Sequence, residues 1–396
     1  MRHPGQPTPY VTTGMMPEAT ACAAPKACEN TAPENTGPAR PFPNAMVEHT
    51  VRRGMLSAPV TVTWEITNRC NLRCVHCLSD SSPEADVSGE LGLEEAKAVL
   101  DQLAEAKVFQ IHYGGGEPFS YPGFMELLRH GQARGFCCQC ISTNGHGFSR
   151  QRIAELEALG GIYLQLSLDG AGPASCDPLR GAGTFARVTE ALERMRGTTI
   201  VRTVNFVYCR DNAGELDAML RLAEHYGATL RVTRLKPSGR GKESYAALRP
   251  THEQLLHLHG WLQAHPQVLT GDTFFHLNPL GGRALGGFSF CGAGRMTCLI
   301  TPNGDVFPCA FTQEDTFRAG NLRGEPFADI WRQSPVFNEV FRPREDTTCT
   351  GCPAHDACGG GCPAVTHALT GQVNAPDPDC VLAATPRPEA PPLCAE

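Results

Sequence analysis

Three cysteines, Cys70, Cys74 and Cys77, form a C-x3-C-x2-C motif directly after a β-rich segment, and their thiolates could hold a metal centre. Three thiolates on a four-iron cluster leave one iron without a protein ligand, so that a small molecule could chelate it. The alternative is a zinc site that takes its fourth ligand from elsewhere, for example from His76. The spacing alone favours an iron–sulfur cluster over zinc.

A second group of cysteines lies between positions 291 and 380. Its central part is a C-x2-C-x5-C-x3-C run followed by Pro363, which is similar to the ferredoxin run in which the fourth cysteine serves another cluster. Eight thiolates are enough for two four-iron clusters, and two zinc sites are the alternative. The group consists of Cys291, Cys298, Cys309, Cys349, Cys352, Cys358, Cys362 and Cys380.

The composition narrows the class of protein. The chain has 396 residues, 19 cysteines and a formal charge of −7, and it lacks the basic excess that would favour nucleic acid as main partner. Its length excludes a small disulfide-bonded secreted scaffold, and no apolar run is long enough to span a membrane. The first residues lack the apolar segment of a signal peptide. We therefore expect a cytoplasmic protein whose reduced cysteines bind metal.

The segments that must position these cysteines alternate between strand-like and helix-like patterns. Repeated βα units of this kind predict a parallel sheet. Six strands are too few for an eight-stranded barrel, so we predict an α/β protein with a partial (β/α)6 TIM-type barrel. The predicted strands are residues 60–67, 108–113, 136–143, 162–169, 200–208 and 229–235.

Composition also divides the chain into five regions. Proline-rich residues 1–45 predict a disordered extension and 383–396 a disordered tail, because neither can bury enough apolar surface to fold. Between them we predict the barrel over 46–245, a connecting segment over 246–285 and a smaller C-terminal iron–sulfur domain over 286–382.

The first cysteine motif, in a chain of βα repeats, resembles that of the radical S-adenosylmethionine (SAM) enzymes. Three further sequences follow predicted strands in the order of that family: Gly-Gly-Glu-Pro at 115–118, Ser-Thr-Asn-Gly at 142–145 and Ser-Leu-Asp-Gly at 167–170. All would lie at the carboxyl ends of parallel strands, where α/β folds place active sites. The resemblance implies that the three cysteines hold the cluster that binds SAM.

The same resemblance implies contacts between SAM and the residues at these strand ends. The glycine-rich loop with Glu117 would bind the methionine amino group, and the loop after the third strand would lie near the ribose. Ser167 and Arg180 would contact the ribose and the carboxylate. The implied SAM-binding residues are Gly115, Gly116, Glu117, Ser142, Asn144, Ser167 and Arg180.

The second cysteine group resembles the SPASM extension of radical SAM peptide-modifying enzymes. The resemblance implies two auxiliary clusters, so that the cofactors would be SAM and three [4Fe–4S] clusters. Because the spacing before Cys298 varies in the family, the first auxiliary cluster has either four thiolates or three and an open iron. The implied ligands are Cys291, Cys298, Cys309 and Cys362 for the first cluster and Cys349, Cys352, Cys358 and Cys380 for the second.

From about residue 46 to Cys380 the chain is similar to the mycofactocin maturases, a family within this group. The stretches that carry the similarity are 63–65, 74–79, 234–241, 270–277 and 291–295. The resemblance implies a precursor peptide that ends in Val-Tyr, whose tyrosine is oxidatively decarboxylated and then cross-linked to the valine. We expect a separate small chaperone to present this peptide, because residues 1–45 are too proline-rich to fold as a peptide-binding domain. An external electron donor is also implied.

Two other functions remain as alternatives. The first is another SPASM-type maturase, which forms a thioether or a different carbon–carbon crosslink. The second is a non-catalytic iron–sulfur or zinc protein. No catalytic side chain is assigned from the sequence. Cys137, Cys138 and Cys140 lie in a predicted strand and are expected to be inert core thiols. For Asp272 and His276 ordinary polar packing is favoured over contact with a peptide.

Overall fold

The parallel sheet that the βα pattern predicts is present in the computed structural model, which describes residues 56–270, 274–283, 285, 291–337, 349 and 351–382. All of these residues belong to one compact unit. The predicted extension (1–45) and tail (383–396) lie outside the described residues, and the domain boundaries stay predictions.

Six parallel strands follow one another in chain order, and each pairs with the next. Helices alternate with these strands along the chain, which confirms the α/β partial-barrel fold. The strands are β1 (Thr61–Thr67), β2 (Gln110–Gly115), β3 (Gln139–Thr143), β4 (Ile162–Ser167), β5 (Val201–Tyr208) and β6 (Thr229–Arg234).

The helices that connect and follow these strands are α1 (Leu93–Glu105), α2 (Phe124–Ala133), α3 (Arg150–Leu159), α4 (Pro173–Arg180), α5 (Thr184–Arg194), α6 (Leu216–His225), α7 (Gly241–Leu248) and α8 (His252–Ala264). In α1, the buried residues Ala96, Leu100 and Leu103 recur at helical spacing, so one stripe of the helix packs into the core. The Ser149 hydroxyl caps α3 by accepting the Arg152 N–H at 3.1 Å.

The side chains of each strand alternate between the helix-covered core and the barrel interior. In β1, Val62, Trp64 and Ile66 are buried in the main hydrophobic core. Glu65 and Thr67 therefore point to the opposite face, toward the barrel interior. One face holds the strand in place, and the other carries polar groups that a ligand could meet.

Two further parallel strands, which the sequence pattern does not predict, extend the sheet at its edges. β7 (Leu269–Thr270) pairs with β6, and β8 (Thr297–Ile300) pairs with β1. Both are short, so neither shows a period long enough to recognise. Because β8 belongs to the cysteine-rich region, that region is hydrogen-bonded directly to the strand that leads into the first cysteine motif.

A hairpin and short helices complete the C-terminal part. A turn at Asn303-Gly304 follows β8 and leads into an antiparallel strand, and Gly304 has a φ of +87°, which favours glycine. No helix of the described residues is long and apolar enough to cross a membrane. The remaining elements are β9 (Asp305–Phe307), β10 (Gly320–Asn321), α9 (Phe327–Gln333), α10 (His355–Cys358) and α11 (Pro363–Thr370).

Candidate active site and metal centres

The loop after β1 carries the first three cysteines at the carboxyl end of the sheet. Burial raises the pKa of the Cys70 thiol to about 12, and the nearby Cys74 and Cys77 thiols shift it in the same direction. The Leu72 N–H donates to Cys70 Sγ at 3.4 Å, a type of contact that supports a metal-bound thiolate. The structure thus brings together the three residues predicted for the SAM cluster.

The segment between β6 and α7 wraps around this cysteine loop. The Arg240 guanidinium donates to the carbonyl oxygens of Cys74 and Ser81, each at 2.9 Å. Gly239 has a φ of +53°, and an added Cβ would lie 2.7 Å from the Cys77 carbonyl oxygen. Only glycine fits at this position. The stretch at 234–241 therefore includes residues that hold the cysteine loop.

His76, the alternative zinc ligand, belongs to a buried charge cluster. Its Nε2 lies 2.8 Å from Asp169 Oδ2, and Arg180 Nε lies 2.6 Å from the same oxygen. Burial by itself would raise the pKa of Asp169, but Arg180 and His76 outweigh it and lower the pKa to about 2. The Arg180 carbonyl accepts the Cys74 S–H at 3.5 Å, so the charge cluster also supports the cysteine loop.

The Gly-Gly-Glu sequence lies where the end of β2 meets the cysteine loop. Gly115 has a φ of +98°, and an added Cβ would lie 2.7 Å from the Thr67 carbonyl oxygen. An added Cβ on Gly116 would collide with the Arg69 carbonyl. The Gly116 N–H donates to the Thr67 carbonyl at 2.7 Å. The two glycines therefore allow two backbone segments to approach closely.

Glu117 is fully buried, and its carboxylate binds the chain itself. It accepts hydrogen bonds from the Thr143 hydroxyl and the Asn144 N–H, each at 2.8 Å, and from the Phe119 N–H at 3.3 Å. Burial raises its pKa to about 7 in spite of these donors. This placement does not favour the predicted direct contact with an ammonium group. The carboxylate instead positions the loop after β3.

Two other predicted SAM residues lie at the carboxyl ends of β3 and β4. Asn144 Nδ2 donates to Asn71 Oδ1 at 2.9 Å and lies 3.7 Å from Cys70 Sγ, next to the cysteine loop. Ser167 is the half-buried last residue of β4 and, by strand alternation, faces the barrel interior. Both positions allow contact with a ligand held at the cysteine loop.

Polar side chains from several strands line the barrel interior. The Ser142 hydroxyl lies 2.8 Å from His112 Nε2 and accepts a hydrogen bond from Gln165 Nε2 at 2.9 Å. Burial, with a contribution from Arg231, lowers the pKa of His112 to about 4. Asn205 Oδ1 and Arg231 Nε are buried without a hydrogen-bond partner among the described residues. Unpaired polar atoms of this kind fit a polar ligand inside the barrel.

Glu65 is a buried carboxyl group of β1 that was not selected from the sequence. Gln313 Nε2 donates to Glu65 Oε1 at 3.0 Å, and no cation of the described residues forms an ion pair with this carboxyl. Burial raises its pKa to about 8, so the group is protonated at neutral pH. An acidic residue between the apolar Trp64 and Ile66 was the sequence signal that could have identified it.

Three of the four cysteines predicted for the first auxiliary cluster come together. Cys291 and Cys309 pack around one apolar cluster, and Cys309 also packs against the cluster that contains Cys362. Burial raises the pKa of Cys309 to about 12, and the Cys291 and Cys362 thiols add to the rise. The three thiols therefore lie close enough to interact electrostatically.

Cys298 lies apart from these three thiols. It is fully buried in the main hydrophobic core with Ile300, whereas Leu299 packs with Cys291 and Cys309. Successive residues of a strand point to opposite faces, so Cys298 points away from the other cysteines. Burial alone raises its pKa, with no contribution from a neighbouring thiol. The structure favours three thiolates over four at the first auxiliary site.

The four cysteines predicted for the second auxiliary cluster line one pocket. Burial raises the pKa of Cys358 to about 12, and Asp377, Cys380 and Cys349 add to the rise. The arrangement fits a centre with four thiolate ligands. The pocket is lined by Cys349, Cys352, Cys358 and Cys380 together with Pro279, Ala354, His355, Gly360, Asp377 and Leu382.

Some residues were predicted to have no role in the site, and the structure agrees with this prediction for some of them and not for others. Cys137 is exposed, so the prediction of a core thiol is wrong there, because the strand begins only at Gln139. His276 is fully buried, and its Nδ1 lies 3.2 Å from the Arg234 guanidinium, as polar packing predicts. Asp272 lies outside the described residues.

Family models match both parts of the chain. The radical SAM superfamily model matches residues 64–223, and a model for an iron–sulfur cluster-binding domain, SPASM, matches residues 291–353. The crystal structure of Streptococcus suis SuiB bound to S-adenosylmethionine has the same fold, with a TM-score of 0.67 and 17% identity over 84% of this chain and 80% of that chain. Fold and site together define a radical SAM enzyme with a SPASM domain, and its cofactors are SAM and iron–sulfur clusters.

Two relatives narrow this class. The mycofactocin maturase MftC of Mycobacterium ulcerans is 42% identical over 330 residues, which cover 82% of this chain and 89% of that protein. The MftC of Mycolicibacterium smegmatis is 42% identical over 330 residues, which cover 82% of this chain and 83% of that protein. The chain belongs to the mycofactocin maturase family.

Proposed function

We propose that the protein oxidatively decarboxylates the C-terminal tyrosine of a short precursor peptide and then cross-links it to the preceding valine. Membership of the mycofactocin maturase family supports a peptide substrate. One structural observation carries the proposal. The cysteine loop lies at the carboxyl end of a barrel whose interior contains buried polar atoms, at Asn205 and Arg231, that have no hydrogen-bond partner in the described part of the chain.

We assign three [4Fe–4S] clusters to the three groups of thiols. Among the described residues, no three His, Cys, Asp or Glu side chains converge closely enough to hold a single metal ion. The cysteine spacing and the radical SAM and SPASM family models support iron–sulfur clusters, in which each thiolate binds an iron atom of its own. The ligands are Cys70, Cys74 and Cys77 for the SAM cluster, Cys291, Cys309 and Cys362 for the first auxiliary cluster, and Cys349, Cys352, Cys358 and Cys380 for the second.

When bound, SAM and its cluster supply a radical that removes hydrogen from a C–H bond, and the auxiliary clusters supply a place for the released electron. The first reaction removes a hydrogen atom from the tyrosine Cβ, then carbon dioxide and one electron, and leaves a Cα–Cβ double bond. The second joins the valine Cβ to the tyrosine Cα without net oxidation. The side chains of the chain must orient both residues and exclude water.

Different residues of the chain would bind the cofactor and position the loops around it. Gly115 and Gly116 shape the cofactor loop, and Asn144 and Ser167 present polar groups beside it. Arg180 uses Nε for Asp169, and its remaining N–H groups are suited to a carboxylate. Ser142 lies deeper in the barrel and Glu117 beneath the loop, so we assign them to positioning.

We further propose two partners. A separate small chaperone presents the precursor, and an external donor reduces the clusters in the cytoplasm. A binding assay with labelled precursor tests the first partner. Tight binding by the enzyme without any other protein contradicts it.

The test of the proposed reaction uses a peptide that ends in Val-Tyr, incubated anaerobically with excess SAM and reductant. Mass spectrometry should show the loss of carbon dioxide and two hydrogens. A peptide that remains unchanged contradicts the proposal. Loss of two hydrogens without carbon dioxide would identify a maturase that forms a thioether or another link.

Two cysteine variants provide the matched comparison. Cys74→Ala should abolish SAM cleavage and leave the auxiliary clusters in place, whereas Cys137→Ala, at an exposed thiol, should cleave SAM normally. Three four-iron clusters correspond to about 12 iron atoms per chain. Zinc without iron would contradict the radical reaction altogether.

A further inference from the structure

Lys236 is a buried lysine whose ammonium group contacts a cysteine thiol. It follows β6, is 5% exposed and donates from Nζ to Cys362 Sγ at 3.3 Å. Its Nζ also lies 4.7 Å from the centre of the Phe311 ring, in a cation–π contact. Among the described residues no carboxylate forms an ion pair with it. A buried ammonium group without a counter-charge is strongly disfavoured, and a cluster bound through Cys362 would supply that charge at the contact.

The nearby carboxylates are already neutralised by arginine. Arg234 binds the carboxylates of Asp377 and Asp379, each at 2.7 Å, and Arg249 also binds Asp379 at 2.7 Å. Two guanidinium groups thus balance two carboxylates, Asp377 and Asp379. Asp377 also accepts the Cys362 N–H at 2.9 Å, which holds the cysteine backbone in place. Neither of these carboxylates forms an ion pair with Lys236, whose ammonium group instead contacts the Cys362 thiol.

We propose that Lys236 raises the reduction potential of the first auxiliary cluster, the one assigned to Cys291, Cys309 and Cys362. A positive charge stabilises the reduced cluster because that state is more negative. A hydrogen bond to a ligand sulfur acts in the same direction. The inference rests on the ligands assigned under the proposed function, and it adds the residue that tunes their cluster. Such a cluster is more easily reduced, as an acceptor of the electron released from the peptide must be.

Redox titration monitored by electron paramagnetic resonance tests the proposal on the full-length, cluster-loaded protein. A background with Cys70, Cys74 and Cys77 changed to alanine leaves only the auxiliary signals. In this background Lys236→Met should lower one auxiliary midpoint by about 59 mV, a tenfold change in a one-electron equilibrium. The matched control is Lys242→Met, at a half-exposed lysine bound to Glu314 at 2.9 Å, and it should leave both midpoints unchanged.

Further variants separate charge from hydrogen bonding. Lys236→Arg keeps the charge and should hold the midpoint near that of the wild type. Lys236→Gln keeps a donor without the charge and should shift the midpoint in the same direction as methionine, by less. The signal that shifts should be the one that disappears in Cys309→Ala.

Unchanged midpoints in an iron-loaded Lys236→Met or Lys236→Gln variant overturn the proposal, as does a shift confined to the cluster at Cys380. Loss of iron from both uncharged variants, with retention in Lys236→Arg, would assign the charge to cluster assembly and also overturn it. The titration contains neither SAM nor peptide. Failure of the peptide reaction is therefore distinguishable from failure of this inference.

Discussion

The Asp169 carboxylate and the Arg180 guanidinium form a buried ion pair, with 2.6 Å between Oδ2 and Nε, behind the loop that carries Cys74. Asp169→Asn would leave the arginine charge buried without its partner, a change that costs about 3–5 kcal/mol. We expect a lower urea midpoint and loss of the iron bound by the SAM cluster. Equilibrium unfolding and iron analysis measure both effects.

The control for this prediction is an exposed ion pair. Glu193 lies 2.7 Å from Arg196 on the surface, and such pairs contribute less than about 1 kcal/mol. Glu193→Gln should therefore leave the urea midpoint and the iron content nearly unchanged. Equal behaviour of the two variants would show that the buried pair does not support the cysteine loop.

Glu65 makes stability depend on pH. Its pKa is raised to about 8 in the folded protein by burial, against 4.5 in the unfolded chain, so the folded state favours the protonated form. This contribution is fully present below the unfolded pKa and is lost as pH rises through about 8. The thermal midpoint of the wild type should fall as pH rises from about 4.5 to about 8, and Glu65→Gln should reduce the fall. Glu105→Gln, at an exposed position, should follow the wild type.

Substitution of Gly116 tests whether the cofactor loop requires the close approach of its backbone to that of Arg69. An added Cβ would collide with the Arg69 carbonyl, so Gly116→Ala should cost at least about 1–3 kcal/mol and weaken SAM binding. Gly114→Ala is the matched control, because an added Cβ there meets no atom within 4 Å. Thermal unfolding and a titration of the cluster-loaded protein with SAM should separate the two variants. An unaffected Gly116→Ala protein would rule out the steric explanation.

Cys298 and Cys309 should differ in iron content. Cys298→Ala removes a core side chain and should cost about 1 kcal/mol in stability with no loss of iron. Cys309→Ala removes a proposed ligand and should lose about four iron atoms. Iron analysis and the auxiliary cluster signals measure the difference. A Cys298→Ala protein that lacks one cluster would restore the four-thiolate alternative.

The sequence predicted the repeating part of the fold well, because each strand and helix of the barrel is long enough to show its own period. β4 begins at Ile162, as the predicted strand at 162–169 indicates. The two-residue β7 and the four-residue β8 have no such period. Their pairing depends on contacts far along the chain, which periodicity does not record.

The site residues that belong to a sequence motif could be predicted from the sequence. Residues whose role depends on the direction of their side chain could be predicted less well. The thiol of Cys298 would suit either a cluster or a core, and only its place in β8 separates the two. Lys236 lies within a stretch similar to the family, but its partner Cys362 is far away in the sequence. Glu65 stands between the apolar Trp64 and Ile66, a signal that was not used because nothing local shows that both faces of its strand are buried.

The pairing of β8 with β1 has a consequence for biosynthesis. β1 leaves the ribosome long before its partner strand β8, residues 297–300. Until then one edge of β1 has no strand partner within the part of the chain that the structure describes, and unpaired edges promote association between molecules. A fragment that stops before Thr297 would keep this edge exposed permanently. Pairing with β8 covers this edge of β1 once the cysteine-rich region has been made.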